Sequence, residues 1–107
     1  MAVVMLMEWP GITQQQYEAT MKELQLDSNP PKGGLFHVAW PTQGGWRVVD
    51  VWESAEAFQA FSKDRIMPAV QKMGITTQPK VEIHPAHNVY VPATSSLASL
   101  GASSLPR

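Results

Sequence analysis

The sequence predicts an α+β domain in the order βαββαβ, with one antiparallel sheet and two helices on one of its faces. Three observations carry this. Short runs rich in Val and aromatic residues are bounded by Gly and Pro turn signals. Two longer segments carry helical spacing and recognisable caps. The chain's 107 residues suit a single domain.

Residues 2–8 (AVVMLME) are a β-branched and Met-rich run that fits a strand buried on both faces, ended by Pro10-Gly11. Thr13 offers a helix N-cap, and Gln16, three residues on, closes a capping box. Tyr17, Met21 and Leu24 recur at helical spacing, so one apolar stripe runs to about Leu26. Residues 27–34 (DSNPPKGG) read as a loop, because Pro30 and Pro31 forbid a continuing helix. Residues 35–40 and 46–53 are two strands joined by PTQGG, a hairpin loop of five residues. With Trp40 facing Trp46, one face carries Phe36, Val38, Trp40, Trp46, Val48, Asp50 and Trp52. The other carries Leu35, His37, Ala39, Arg47, Val49, Val51 and Glu53, and a slip of one residue would scramble this assignment. Ser54 caps a second helix over 55–73, which stops at Gly74 and is expected to kink or break at Pro68. Residues 81–91 form the last strand, with Pro85 marking an edge or bulge. The folded domain is thus 1–91, and the Ser/Ala-rich residues 92–107 read as a flexible tail.

Composition narrows the function. Charged residues are only 16% of the chain against roughly 25% in an average domain, apolar residues reach 44%, and there are four Trp. So much apolar material in a small chain implies either a subunit interface or an aromatic pocket. A net charge of −1 with no basic cluster argues against nucleic-acid binding. No Cys is present, which excludes disulfides and thiolate chemistry. The apolar start is too short for a membrane span, so cytoplasm is the default location. A sheet apolar on both sides needs two covers. Helices supply one, and a second copy, a homodimer partner seated on Leu35, His37, Ala39, Val49 and Val51, supplies the other.

Asp50 is the leading catalytic candidate, because a carboxylate held among Phe36, Trp40, Trp46 and Trp52 is placed to act as a base; satisfaction by Arg47 or backbone N–H groups is the structural alternative. His37 is a further acid/base candidate, but this register points it away from Asp50, toward the partner. His84 and His87 form H-x-x-H, which a strand splits between its two faces, and no third metal ligand is evident. One of the two, His87 by preference, is a second acid/base candidate. Trp52, Trp40, Phe36, Tyr17, Phe58 and Phe61 are the candidate substrate-binding set, with packing as the plain alternative for each.

The stretch Val51-Trp52-Glu53-Ser54-Ala55-Glu56-Ala57-Phe58 resembles the strand-to-helix junction of the antibiotic-biosynthesis-monooxygenase-like, dimeric α+β barrel superfamily, and Asp50-x-Trp52 resembles its acidic-x-Trp pair. Glu8-Trp9-Pro10-Gly11-Ile12-Thr13 followed by Tyr17 resembles the opening of small members of that group. The resemblance implies a ferredoxin-like subunit, a homodimer with two sheets face to face, and a pocket between each sheet and its helices. Positions matching the haem-degrading members are Phe61 and Gln71, and Gln is not a useful axial ligand. Positions matching the Asn and Tyr of the cofactor-free oxygenases are Val48 and Phe58. The expectation is a cofactor-independent enzyme, without metal, acting on an apolar aromatic or polyketide-like small molecule by acid/base proton transfer in isomerisation, cyclisation or dehydration. A cofactor-free monooxygenase and a non-catalytic ligand-binding or stress-related barrel are the alternatives.

Overall fold

The computed structural model describes residues 1–91; the expectation of a flexible tail over 92–107 lies outside the described residues. Strands β1 (Val3–Pro10), β2 (Gly34–Thr42), β3 (Gly45–Trp52) and β4 (Lys80–Pro85) form one antiparallel sheet in the order β2-β3-β1-β4. Helix α1 (Gln14–Leu24) joins β1 to β2, and a helical segment over residues 55–72 joins β3 to β4. This is the βαββαβ, ferredoxin-like α+β arrangement.

The local signals act as expected at both helix starts. Thr13 accepts from the Gln16 backbone N–H at 3.1 Å while the Gln16 side chain accepts from Thr13 N–H at 3.0 Å, a complete capping box. Ser54 accepts from Ala57 N–H at 3.0 Å. The second helical segment does not break at Pro68. It consists of α2 (Ala55–Phe61), one wide π-turn (Ser62–Ile66) and α3 (Met67–Lys72), with Pro68 in the first turn of α3, where the ring is tolerated. The π-turn also fixes direction. Residues five apart diverge on an ordinary α-helix, yet here Phe61 and Ile66 both face the same cavity.

The hairpin departs from the expected register. Its strands run on to the pair Thr42–Gly45, leaving a two-residue turn, Gln43-Gly44, with Gly44 at φ 84°. Trp46 therefore opposes Pro41, not Trp40, and His37 opposes Asp50. That one-residue slip turns all of β2 over. His37 and Ala39 face the helices, and Phe36, Val38 and Trp40 face away from them. A bulge between Gly34 and Phe36 returns Gly34 to Trp52. At Gly45 the backbone of β1 leaves no room for a side chain: a Cβ there would lie 2.5 Å from the Trp9 carbonyl oxygen. The last strand is shorter than expected. It ends at Pro85, so His87 lies beyond it on an exposed segment.

The core lies between sheet and helices. Val3, Met5, Met7 and Trp9 from β1, and Trp46, Val48 and Trp52 from β3, pack with Ile12, Phe58 and Val70. No helix of the described residues is long and apolar enough to cross a membrane.

Candidate active site

A cavity of about 310 Å³ sits in this layer, walled by Met5, Met7 and Trp9 of β1, by Tyr17, Met21 and Leu24 of α1, by Trp46, Val48, Asp50 and Trp52 of β3, and by Phe61, Ile66 and Val70. The walls are overwhelmingly apolar, and four of the polar side chains among them, Tyr17, His37, Asp50 and Trp52, are linked to one another.

Asp50 is 7% exposed, the one charged side chain of the described core. Both of its carboxylate oxygens are engaged. Oδ1 lies 2.7 Å from His37 Nδ1, and Oδ2 accepts from Trp52 Nε1–H at 3.0 Å. A carboxylate can only accept, so His37 Nδ1 carries a proton, and in the neutral imidazole Nε2 is left bare as an acceptor. Tyr17 Oη lies 2.8 Å from that Nε2 and donates to it when the imidazole is neutral. The result is a chain of four side chains, Trp52–Asp50–His37–Tyr17, that ends in a phenol on the cavity wall. Each link has a backbone origin. Asp50 and Trp52 are two apart on β3 and share a face. The hairpin slip sets His37 opposite Asp50, and the helical stripe of α1 lays Tyr17 over both.

The phenol is held on two sides. Its ring stacks on Trp46 at 4.8 Å between centroids and 19° between planes. Burial, and secondarily the negative charge of Asp50, push its pKa up to about 12. Tyr17 is therefore a neutral donor at ordinary pH. The His37 side chain is 36% exposed, which places it at the rim of the cavity. Behind Trp52, Phe58 packs edge-on at 5.6 Å and 66°, and Phe61 packs at 5.4 Å. These rings fix the indole that orients Asp50.

The structure thus brings together Asp50, His37, Tyr17, Trp52 and Phe61 of the residues singled out by sequence. It corrects the others. Trp40 lies on the opposite sheet face, 38% exposed, because of the register slip. Phe36 borders the cavity beside the bulge but stands on that same outward face. Phe58 backs Trp52 rather than lining the cavity. His87 is exposed and absent from the cavity wall, since β4 ends before it. His84 faces outward and lies 3.1 Å from Glu82. The pairing of Arg47 is with Glu8, at 3.0 Å, not with Asp50. His37 and Ala39 are removed from the expected subunit interface. Among the described residues no three His, Asp or Glu side chains converge as metal ligands would. Sequence reasoning missed the role of Trp46 as the ring beneath Tyr17, for which helix and strand spacing give no signal.

No protein-family model matches the chain, and no curated protein matches it in sequence. Solved structures do match in fold. SnoaB, a cofactor-independent oxygenase from Streptomyces nogalater, superposes with a TM-score of 0.61 at 12% identity, over 86% of this chain and 98% of that one. A proposed antibiotic biosynthesis monooxygenase from Caulobacter crescentus gives 0.58 at 17% identity, over 81% and 92%. A protein of Mycobacterium tuberculosis gives 0.64 at 8% identity, over 85% and 100%. The chain therefore shares the fold of these solved structures.

Proposed function

We propose that this protein is a small cofactor-independent enzyme that moves a proton on an apolar molecule held between its sheet and helices. The observation that carries the reading is the Trp52–Asp50–His37–Tyr17 chain, ending on an apolar cavity. Asp50 acts as the orienting group rather than as the base itself. It fixes the His37 tautomer, as a buried carboxylate does for a catalytic imidazole, and it offsets the imidazolium that forms. His37 Nε2 is the base. Tyr17 transmits the proton: its oxygen takes one from the substrate as its own passes to His37 Nε2. No free phenolate is needed, which suits a phenol whose pKa is raised. Return of the proton to another atom of the substrate completes an isomerisation, and loss of a leaving group would complete a dehydration.

A second reading is favoured by the fold shared with a cofactor-independent oxygenase. In that case the same deprotonation yields a carbanion that meets molecular oxygen. One experiment separates the two. An enolisable bicyclic ketone, 2-tetralone, is incubated with the protein in deuterium oxide and followed by proton NMR, with an oxygen electrode in parallel. Proton transfer alone gives deuterium at the α-carbon at least about a hundredfold faster than buffer, with oxygen unchanged. Oxygen uptake matched to ketone loss supports the oxygenase. Exchange at the buffer rate across a panel of such ketones contradicts both.

The subunit is further proposed to pair with a second copy through its open sheet face. Val4 and Leu6 of β1, Phe36, Val38 and Trp40 of β2, and Val49 and Val51 of β3 share that face, and Val38 is 41% exposed. The ion pairs Arg47–Glu8 and His84–Glu82 lie at its margins. An apolar centre with a polar rim is the anatomy of a protein interface.

A further inference from the structure

The four linked side chains run from the interior to the rim. The Trp52–Asp50 bond is buried, the Asp50–His37 bond is half-buried and the His37–Tyr17 bond is exposed. The outermost link is therefore open, and both of its residues line the cavity. Each nitrogen of the imidazole meets a different kind of partner. Asp50, from β3, faces Nδ1 at 2.7 Å, and Tyr17, from α1, faces Nε2 at 2.8 Å. Among the described residues that line the cavity, Tyr17, His37 and Asp50 are the three that titrate; β1 and the helical segment over 55–72 bring none. A second proton on this imidazole has one place to go. Nδ1 already carries one, because the carboxylate beside it only accepts. The added proton goes to Nε2, which faces the phenol oxygen. The phenol itself stays protonated, since its pKa is pushed up to about 12. Two hydrogens cannot occupy one hydrogen-bond axis, so the phenol must turn its O–H away from Nε2 and accept from it instead.

We propose that Tyr17 is a specificity-determining group whose hydrogen-bonding polarity is set by the charge of His37. With the imidazole neutral, the phenol gives its hydrogen to Nε2 and shows a ligand only lone pairs, so it selects hydrogen-bond donors. With the imidazolium, the phenol accepts from Nε2–H and shows a ligand its O–H, so it selects acceptors. One solvent proton is taken up at Nε2, and no covalent bond of the ligand changes. The imidazolium remains paired with the Asp50 carboxylate, which offsets the added charge. The switch needs only the geometry of these three side chains and stands apart from whether the relay turns a substrate over.

The test is calorimetric binding of three bicyclic probes of similar size, measured from about pH 5 to 8, where histidine side chains in general change charge. Indole offers an N–H donor, phthalide offers a carbonyl acceptor and no enolisable proton, and indane offers neither. All three stay neutral over this range. The phthalide-to-indole affinity ratio should rise at least about tenfold from the upper to the lower end, one hydrogen bond being gained and another lost. Indane affinity should stay within about twofold. The midpoint should coincide with protonation of His37 Nε2, read by ¹⁵N NMR in the same samples. Tyr17→Phe keeps the ring that stacks on Trp46 and removes the hydroxyl, so its ratio should be flat. A flat ratio in the wild-type protein overturns the proposal, whether or not the variant folds. So does a change that persists in Tyr17→Phe or departs from the His37 titration. Absence of binding by all three probes would show the phenol closed to ligands and overturn it as well. Failure of the proton-transfer reading leaves these outcomes untouched, because no probe has to react.

Discussion

The two faces of the sheet are built from the same strands and solve opposite problems. On the helix-covered face a buried carboxylate is fully engaged, with one oxygen facing His37 and the other Trp52. On the open face between its polar margins, β1, β2 and β3 present Val, Leu, Phe and Trp side chains and no ionisable group. Strand β2 decides which face is which. Its alternate residues are His37 and Ala39 on one side and Phe36, Val38 and Trp40 on the other. A two-residue turn sends the His inward and the large apolar set outward. One turn geometry thus sets an imidazole at the cavity and an apolar surface on the open face. The comparison teaches that the proposed catalytic placement and the proposed assembly are coupled through register, because a slip that removed one would remove both.

That comparison can be broken on the covered face first. In Asp50→Asn the side-chain oxygen can still accept from Trp52, but the amide then donates toward His37. The imidazole must place its proton on Nε2, where it can no longer take one from Tyr17. Deuterium exchange into 2-tetralone should fall about 10³–10⁴-fold, as for other imidazoles held in the wrong tautomer, while the fold persists by circular dichroism. An unchanged rate would remove Asp50 from the mechanism.

The open face is broken by charge. Sedimentation should show the wild-type protein at twice the 11.8 kDa chain mass, and Trp40→Glu should shift it to the monomer, since an ionised group in an apolar interface is strongly disfavoured. A wild-type monomer at micromolar concentration would contradict the assembly.

Tyr17→Phe cuts the end of the relay and should slow exchange by about 10²-fold, the lower range for a proton-transfer group. It also carries a pH signature. The folded state holds the phenol neutral up to about 12, whereas the unfolded chain releases its proton near 10. The stabilisation is therefore full below pH 10 and is lost as pH rises toward 12. The wild-type melting temperature should fall more steeply across that window than that of Tyr17→Phe, and parallel curves would count against the buried phenol. The smallest effect belongs to His87→Ala, which should leave exchange within about twofold because His87 is exposed and away from the cavity wall.

Much of this was legible in the sequence. The element order, the caps at Thr13 and Ser54, and the pairing of Asp50 with Trp52 on a covered face follow from spacing and cap chemistry. What misled was loop length. Taking PTQGG as a five-residue loop, rather than Gln43-Gly44 as a tight turn, placed His37 across the sheet from Asp50 and Trp40 beside it. Gly44 was the available signal, since a left-handed residue at the second position of a two-residue turn favours Gly. The π-turn at Ser62–Ile66 and the approach of Tyr17 to His37 depend on tertiary packing, and no local pattern announces them.

The central claim is that Asp50 holds His37 with its proton on Nδ1 and Nε2 bare toward Tyr17. Long-range nitrogen–proton NMR correlation on the ¹⁵N-labelled protein reads the two ring nitrogens of His37 separately. The account predicts a protonated Nδ1 and an unprotonated Nε2 in the neutral imidazole of the wild-type protein, reversed in Asp50→Asn. A wild-type His37 with its proton on Nε2, or a tautomer indifferent to Asp50→Asn, would contradict it.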